Sequence, residues 1–178
     1  MSEQAIVREA GPRDAVLLHL VAAATFPLAC TAGTSPESIQ AFIEEQLSVE
    51  RFRSYLAKDD HVLFIAEIGG TPAGYAMMRF SEITQPDVAP FLTTFPTVEV
   101  AKFYLLAGRH GTGLADQLML ACIDAAQRGS AASMWLGVNT ENARANRFYI
   151  RHEFEGRGTK TFQVGDYFEN DYIRERVL

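Results

Sequence analysis

Cysteine is scarce: Cys30 and Cys122 are the two thiols among 178 residues. That is too few for a disulfide framework, so the fold must rest on its apolar core with both thiols reduced. Cys122 falls within an apolar helical pattern and is expected to pack; for Cys30 a nucleophilic role stays open beside packing. No Cys/His spacing suits a metal, and none is expected. No apolar run approaches the roughly 20 residues that cross a bilayer, and Met1-Ser2-Glu3-Gln4 has neither the basic start nor the apolar core of a secretory leader. The expectation is a cytoplasmic protein without a membrane partner. Basic residues are also outnumbered: 16 Lys and Arg against 22 Asp and Glu leave a formal charge of −6. This argues against a general nucleic-acid binder and mildly favours small cationic partners. Repeats and low-complexity tracts are lacking too, which removes solenoids and disordered linkers. Hydrophobic residues at 48% and charged ones at 21% fit one soluble domain over residues 1–178 with a real core.

The informative stretch runs from Thr97 to Tyr149. It predicts a strand (Val98 to Leu106), a glycine-bearing turn (Arg109 to Gly113), a helix (Leu114 to Arg128), a strand (Met134 to Asn139) and a helix opening near Asn142. Strand, helix and strand joined by short turns make a right-handed parallel crossover, with the first turn at the carboxyl edge of its strand, where ligands tend to sit. Gly111 and Gly113 let backbone approach a bulky group. The amides of Gly111, Thr112, Gly113, Leu114, Ala115 and Asp116 lie at a helix N-terminus that favours an anion such as a phosphate. No Lys-Ser/Thr pair follows the second glycine, as an NTPase loop requires, and the third glycine of a dinucleotide turn is absent. A plain strand-to-helix connection remains the bland alternative.

On the next helix Asn142, Ala145 and Tyr149 share one face by their spacing of three and four. Here the chain resembles a family. His110-x-x-Gly113-x-Ala115 is similar to the phosphate signature of the GNAT N-acetyltransferase superfamily, and Asn142-x-x-Ala145-x-x-x-Tyr149-x-x-x-x-Phe154 resembles that family's last helix and following strand. The resemblance implies a single-domain α/β fold, a mixed sheet of about seven strands with helices on both faces. It also implies acetyl-CoA as co-substrate, and an acetyl group passed to a primary amine by direct attack in a ternary complex. Phe162 to Asp166 with Asp171-Tyr172-Ile173 resembles the tail of the bacterial polyamine (spermidine/spermine) branch, which makes a small polyamine or similar cation the leading acceptor. A protein N-terminus or lysine, or a non-catalytic acyl-CoA-binding module, are the alternatives, and a homodimer is left open. Three positions depart from the family pattern: His110 for Gln or Arg, Ala107 for proline, and Glu153 for the glycine before Phe154. If position 153 needs a left-handed backbone, Glu costs on the order of 1 kcal/mol there.

The family likeness assigns roles. Tyr149 is the expected proton donor to the departing thiolate, since a phenol stays protonated at neutral pH, and its alternative is an amphipathic residue covering the core. Glu99 is the expected base toward an ammonium of pKa roughly 10, with an exposed strand carboxylate as its alternative. The backbone of Phe103, Tyr104 and Leu105 is expected to hold the cofactor's arm as an added strand, one amide polarising the thioester carbonyl. Asn142 offers a side-chain amide to that arm or else caps the helix. His110 and His152 are lesser candidates.

Elsewhere the pattern predicts a strand at Ala5 to Glu9 and a helix at Arg13 to Thr25 with Val16, Leu17, Leu20, Val21 and Ala24 inward. Phe26 to Ser38 reads as a loop, Ser35-Pro36 as a helix start, and Val49 to Lys58 as a further turn or two. Strands follow at His61 to Ile68 and Thr71 to Phe80 about Gly69-Gly70, and at Lys160 to Val164 and Phe168 to Arg176 about Gly165-Asp166. Ser81 to Pro96 is a long connection whose Glu82, Asp87, Phe91 and Phe95 form either a lip for a cationic substrate or a loop pinned by aromatics.

Overall fold

In the computed structural model, which describes residues 4–108 and 112–178, alternation of apolar residues builds strands wherever β-branched and aromatic side chains dominate. Seven result: β1 (Ala5–Glu9), β2 (His61–Ile68), β3 (Thr71–Arg79), β4 (Thr97–Leu105), β5 (Ser133–Asn139), β6 (Glu155–Val164) and β7 (Tyr167–Val177). They form one sheet in the order β1-β2-β3-β4-β5-β7-β6. All neighbours are antiparallel except β4 and β5. Helices α1 (Ala15–Ala29), α2 (Pro36–Gln46) and α3 (Val49–Leu56) bury Leu18, Phe26, Ile43 and Phe52 against one face. Helices α4 (Leu114–Arg128) and α5 (Ala143–Arg151) cover the other, with Leu114, Leu118, Cys122 and Tyr149 in that core. No helix among the described residues is long and apolar enough to cross a membrane.

The turns follow their residue chemistry. Gly69 and Gly70 take φ of 57° and 79°, the positive values a two-residue hairpin demands. Ser35 Oγ accepts from the Ser38 amide at 3.1 Å, with Pro36 in the first turn of α2, which satisfies a donor the helix leaves free. Asn142 caps α5 in the same way, its Oδ1 accepting from the Ala145 amide at 3.0 Å.

Two expectations for the first helix need correction. The helix continues through Pro27 to Ala29 rather than yielding to a loop at Phe26. Pro27 lies in its last turn, where little of the helix remains to break, and Phe26 is held by a stacked Phe42 ring 4.3 Å away. Its inward face is Ala15, Leu18, Val21, Ala22 and Phe26, while Val16 and Leu20 are exposed. Gly129 is the C-cap of α4 but is not its left-handed residue. The left-handed residue is Ser130 (φ 58°), and Gly129 instead leaves room for the Phe80 ring, whose edge a Cβ would meet at 2.5 Å. Finally, β6 begins at Glu155, five residues ahead of the predicted Lys160.

Candidate active site

The parallel pair β4 and β5 is joined for only three positions, Thr97 to Ser133, Val98 to Met134 and Glu99 to Trp135. Beyond Glu99 the strands part. The cause on the β4 side is a bulge: β3 pairs Met77 with Lys102 and Met78 with Val100, leaving Ala101 as the extra residue, which bends the strand. On the other side β5 stays paired with β7 along its whole length.

A cavity of about 360 Å³ occupies the gap and passes through the sheet. Asn142, Ala145 and Tyr149 line its α5 side; Tyr55, Arg79, Glu99, Lys102 and Tyr104 line the opposite side, together with Lys160, Glu169 and Asp171. On the edge of β4, the Leu106 amide donates to Ala73 O at 2.8 Å. Backbone groups alternate along a strand, so Tyr104 also faces β3, and the amides of Phe103 and Leu105 turn to the gap. Tyr104 therefore offers the cavity its side chain, not its amide.

At the head of α4, Gly113 sits at φ 79°, a conformation that favours glycine. Thr112 Oγ1 accepts weakly from the Leu114 amide at 3.4 Å, and regular helix bonding begins with the Gln117 amide on Gly113 O at 3.1 Å. Between them the amides of Ala115 and Asp116 have no acceptor among the described residues, which is a fit for an anion. The Asp116 carboxylate is drawn away from that mouth: it accepts from Arg151 and His152, each at 2.8 Å. Burial raises its pKa, but those hydrogen bonds outweigh it and the net shift is downward. His110 and Gly111 lie outside the described residues.

Tyr149 is 7% exposed, and burial pushes its phenol pKa far upward. Its ring meets Phe103, Phe148 and Phe154 edge-on, with centroids 6.1, 5.4 and 5.8 Å away. The end of α5 fixes it further. The Glu153 amide bonds Ile150 O and the Phe154 amide bonds Tyr149 O, both at 3.0 Å, a closed helix terminus with its apolar contact between Tyr149 and Phe154. Glu153 takes φ 64°, so this position does require the left-handed backbone. Its carboxylate pairs with Arg176 at 3.0 Å.

The model of the acetyltransferase (GNAT) family matches residues 28–154. Uncharacterised N-acetyltransferases of Mycobacterium bovis and Mycobacterium tuberculosis are each 41% identical over 165 residues, 93% of this chain and 98% of theirs. The chain belongs to the GNAT acetyltransferase family. It is an acetyl-CoA-dependent acetyltransferase, and acetyl-CoA is its co-substrate. The fold is also that of the PaiA N-acetyltransferase of Thermoplasma acidophilum in complex with coenzyme A (TM-score 0.76, 17% identity, 98% of this chain and 99% of that one). The Salmonella typhimurium protein YncA, solved with its cofactor acetyl-CoA, is similar as well (TM-score 0.71, 18% identity, 98% and 94% covered).

Within this acetyltransferase the expected site residues separate into groups. Glu99 is no free strand carboxylate: its Oε2 accepts from Arg79 Nη2 at 2.8 Å, and its side chain is 17% exposed. Asn142 performs the capping role and also borders the cavity. Leu114 is fully buried in the core and contributes only backbone. The expected lip is corrected. Phe91 lies over Gly158, where a Cβ would come within 2.4 Å of its ring, and Asp87 and Phe95 do not line the cavity, whose wall takes Gln85 from that loop; of the four, Glu82 alone borders a small neighbouring pocket with Arg79 and Glu99. The loop is pinned instead. Buried Glu175 accepts from the Thr93 and Thr94 amides and from Thr93 Oγ1 at 2.7 to 3.2 Å, while Val88 and Leu92 pack on Trp135. Cys30 borders the cavity, and burial with the nearby Glu169 pushes its pKa up to about 11, which disfavours a thiolate at neutral pH. Its thiol donates to Phe26 O, 3.5 Å away. Arg79, Lys102, Lys160, Glu169 and Asp171 escaped sequence reasoning. For Lys102 the signal was a lone charge inside the apolar run Val100 to Leu106.

Proposed function

We propose that the chain transfers the acetyl group of acetyl-CoA to a primary amine by direct attack in a ternary complex. The nitrogen forms a bond to the thioester carbon as the carbon–sulfur bond breaks. Tyr149 gives its hydroxyl proton to the departing thiolate, and Glu99 accepts the amine's proton through water. The observation that carries this reading is the continuity of the cavity. One space joins the Tyr149 side of the sheet to the Glu99 side, so two reactants entering from opposite faces meet in the gap. The amides of Ala115 and Asp116 suit the diphosphate of the coenzyme, and those of Phe103 and Leu105 suit its extended arm.

For the acceptor, the enclosed space and the carboxylates of Glu169 and Asp171 at its wall support a small amine of the polyamine class or a similar cation. Burial raises the Asp171 pKa to about 6, a penalty that a nearby ammonium relieves. Calorimetric titration with acetyl-CoA, followed by thiol release across spermidine, amino acids, aminoglycosides and peptides, tests the proposal. Tight binding without release on any amine overturns transfer in favour of a binding module.

A further inference from the structure

Among the described cations of the cavity wall, Lys102 is the one with no carboxylate beside it. The bulge at Ala101 breaks the alternation of β4, and the Lys102 ammonium stands 5.8 Å over the Tyr55 ring of α3, on the α1–α3 side of the sheet. The other cavity cations have partners: Arg79 holds Glu99 at 2.8 Å, and Lys160 stands 3.8 Å from Asp171. No carboxylate among the described residues comes within 4.0 Å of the Lys102 ammonium. The charged groups that act on it are Arg79, Glu99 and Arg51, two of them cations, and Glu99 is already engaged. Burial, with Arg79 next, draws its pKa down to about 8. At neutral pH that group is still mainly protonated, and an enclosed cation without a counter-charge is costly. Gln46 and Gln85 also line this cavity and carry neutral amide donors.

We propose that the acceptor amine also carries an anionic group, a carboxylate or a phosphate ester, and that Lys102 receives it. This rests on the transfer reading above but replaces its polyamine acceptor, since a bare polyamine leaves Lys102 without a counter-charge. The two ends of the wall then have distinct tasks. Lys102 and Tyr104, two residues apart on β4, are separated by roughly 6.6 Å of strand rise. Tyr104 faces the acidic end: Asp171 and Glu169 act on its phenol. A zwitterionic acceptor thus finds an anion site and a cation site within the length of a small molecule.

The test measures thiol release from acetyl-CoA by wild type, Lys102→Met and Lys102→Arg. The acceptors are butylamine, γ-aminobutyrate, phosphoethanolamine and spermidine. The expected result is preference of the wild type for the carboxylated or phosphorylated amine, the better of the two identifying the anion. In Lys102→Met, KM for that acceptor rises about tenfold or more, as loss of a charge-assisted contact implies, while butylamine and spermidine keep their kcat/KM. Lys102→Arg retains the preference. A loss of kcat shared equally by all four amines overturns the proposal and makes Lys102 a base. An unchanged preference in Lys102→Met also overturns it. Failure of the wild type to release thiol with any amine defeats the transfer reading itself. A melting temperature of Lys102→Met at or above that of wild type separates these outcomes from misfolding, because the variant removes a half-buried charge without a carboxylate beside it.

Discussion

Replacing Tyr149 by Phe removes one oxygen from the gap and leaves its surroundings in place. The three ring contacts, at centroid distances of 5.4 to 6.1 Å, are made by carbon atoms that phenylalanine keeps. The hydroxyl makes no hydrogen bond to a described residue, so unfolding should change by no more than about 0.5 kcal/mol. Catalysis should respond differently. Burial pushes the phenol pKa upward, so no ionisation of Tyr149 enters the ordinary pH range. Burial also raises the pKa of a thiol, as it does in the nearby core at Cys122, and a thiolate expelled into a water-poor gap should be more basic than in water. Phenol and thiolate are thus shifted in the same direction, and the proton transfer stays feasible. Loss of a positioned acid removes at least about 100-fold in kcat, or about 2.7 kcal/mol of barrier. The assay is thiol release at saturating amine, with calorimetry to show that the acetyl-CoA Kd is kept. A Tyr149→Phe enzyme with the wild-type kcat refutes the assignment of Tyr149 as the acid.

Glu175 is fully buried, accepts from Thr93 and Thr94, and pairs with Arg157 at 2.8 Å. Glu175→Gln should therefore lower stability by about 3 kcal/mol, read from the urea midpoint; an unchanged midpoint removes the pinning role given to this residue. The pH dependence of stability contains two opposing contributions. Burial works to raise the Glu175 pKa, but its hydrogen bonds hold it below the ordinary value, so its stabilisation is present above roughly pH 4.3 and fades as acid is added. Asp171 is raised to about 6, so the folded state gains from its proton below roughly pH 4 and loses that gain as pH climbs through about 6. Melting of Asp171→Asn against wild type should show a gap widening in the variant's favour over that window; a pH-independent gap contradicts the shift. Cys30→Ser should retain activity, and Cys30 should react slowly with thiol reagents at pH 7 because its pKa is about 11; fast labelling that abolishes turnover contradicts this.

Features governed by local chemistry were legible in the sequence. The glycine pair of the β2/β3 hairpin, the caps Ser35 and Asn142, and the strand-helix-strand unit about Gly113 all depend on residues within a few positions of one another. The inward face of α1 was not legible, because Ala15 to Ala29 is apolar on nearly every side and periodicity has little to distinguish; burial there is decided by α3 and the sheet. Lys102 was missed because a bulge carries no residue signature at Ala101, yet it moves the next side chain to the other face. Glu175 stands between Arg174 and Arg176, which looks like a solvated run, and only the returning loop at Thr93 reveals it as buried.

The gap itself explains why these residues converge. Pulling β4 from β5 exposes strand edges in the middle of a sheet, a cost that folded proteins ordinarily avoid. Here both edges are held from behind, β4 by six pairs to β3 and β5 by seven to β7, so neither can close the opening by a small shift. An extended arm with amide groups of its own can satisfy the Phe103 and Leu105 amides, and it encounters an edge already fixed in position. The closed end of α5 extends the same logic to chemistry, because the Tyr149–Phe154 contact and the left-handed Glu153 set the phenol before any ligand arrives. Under the proposed transfer, the cavity is a site prepared by backbone geometry, Glu99 takes the amine's proton, and Lys102 and Asp171 select the acceptor.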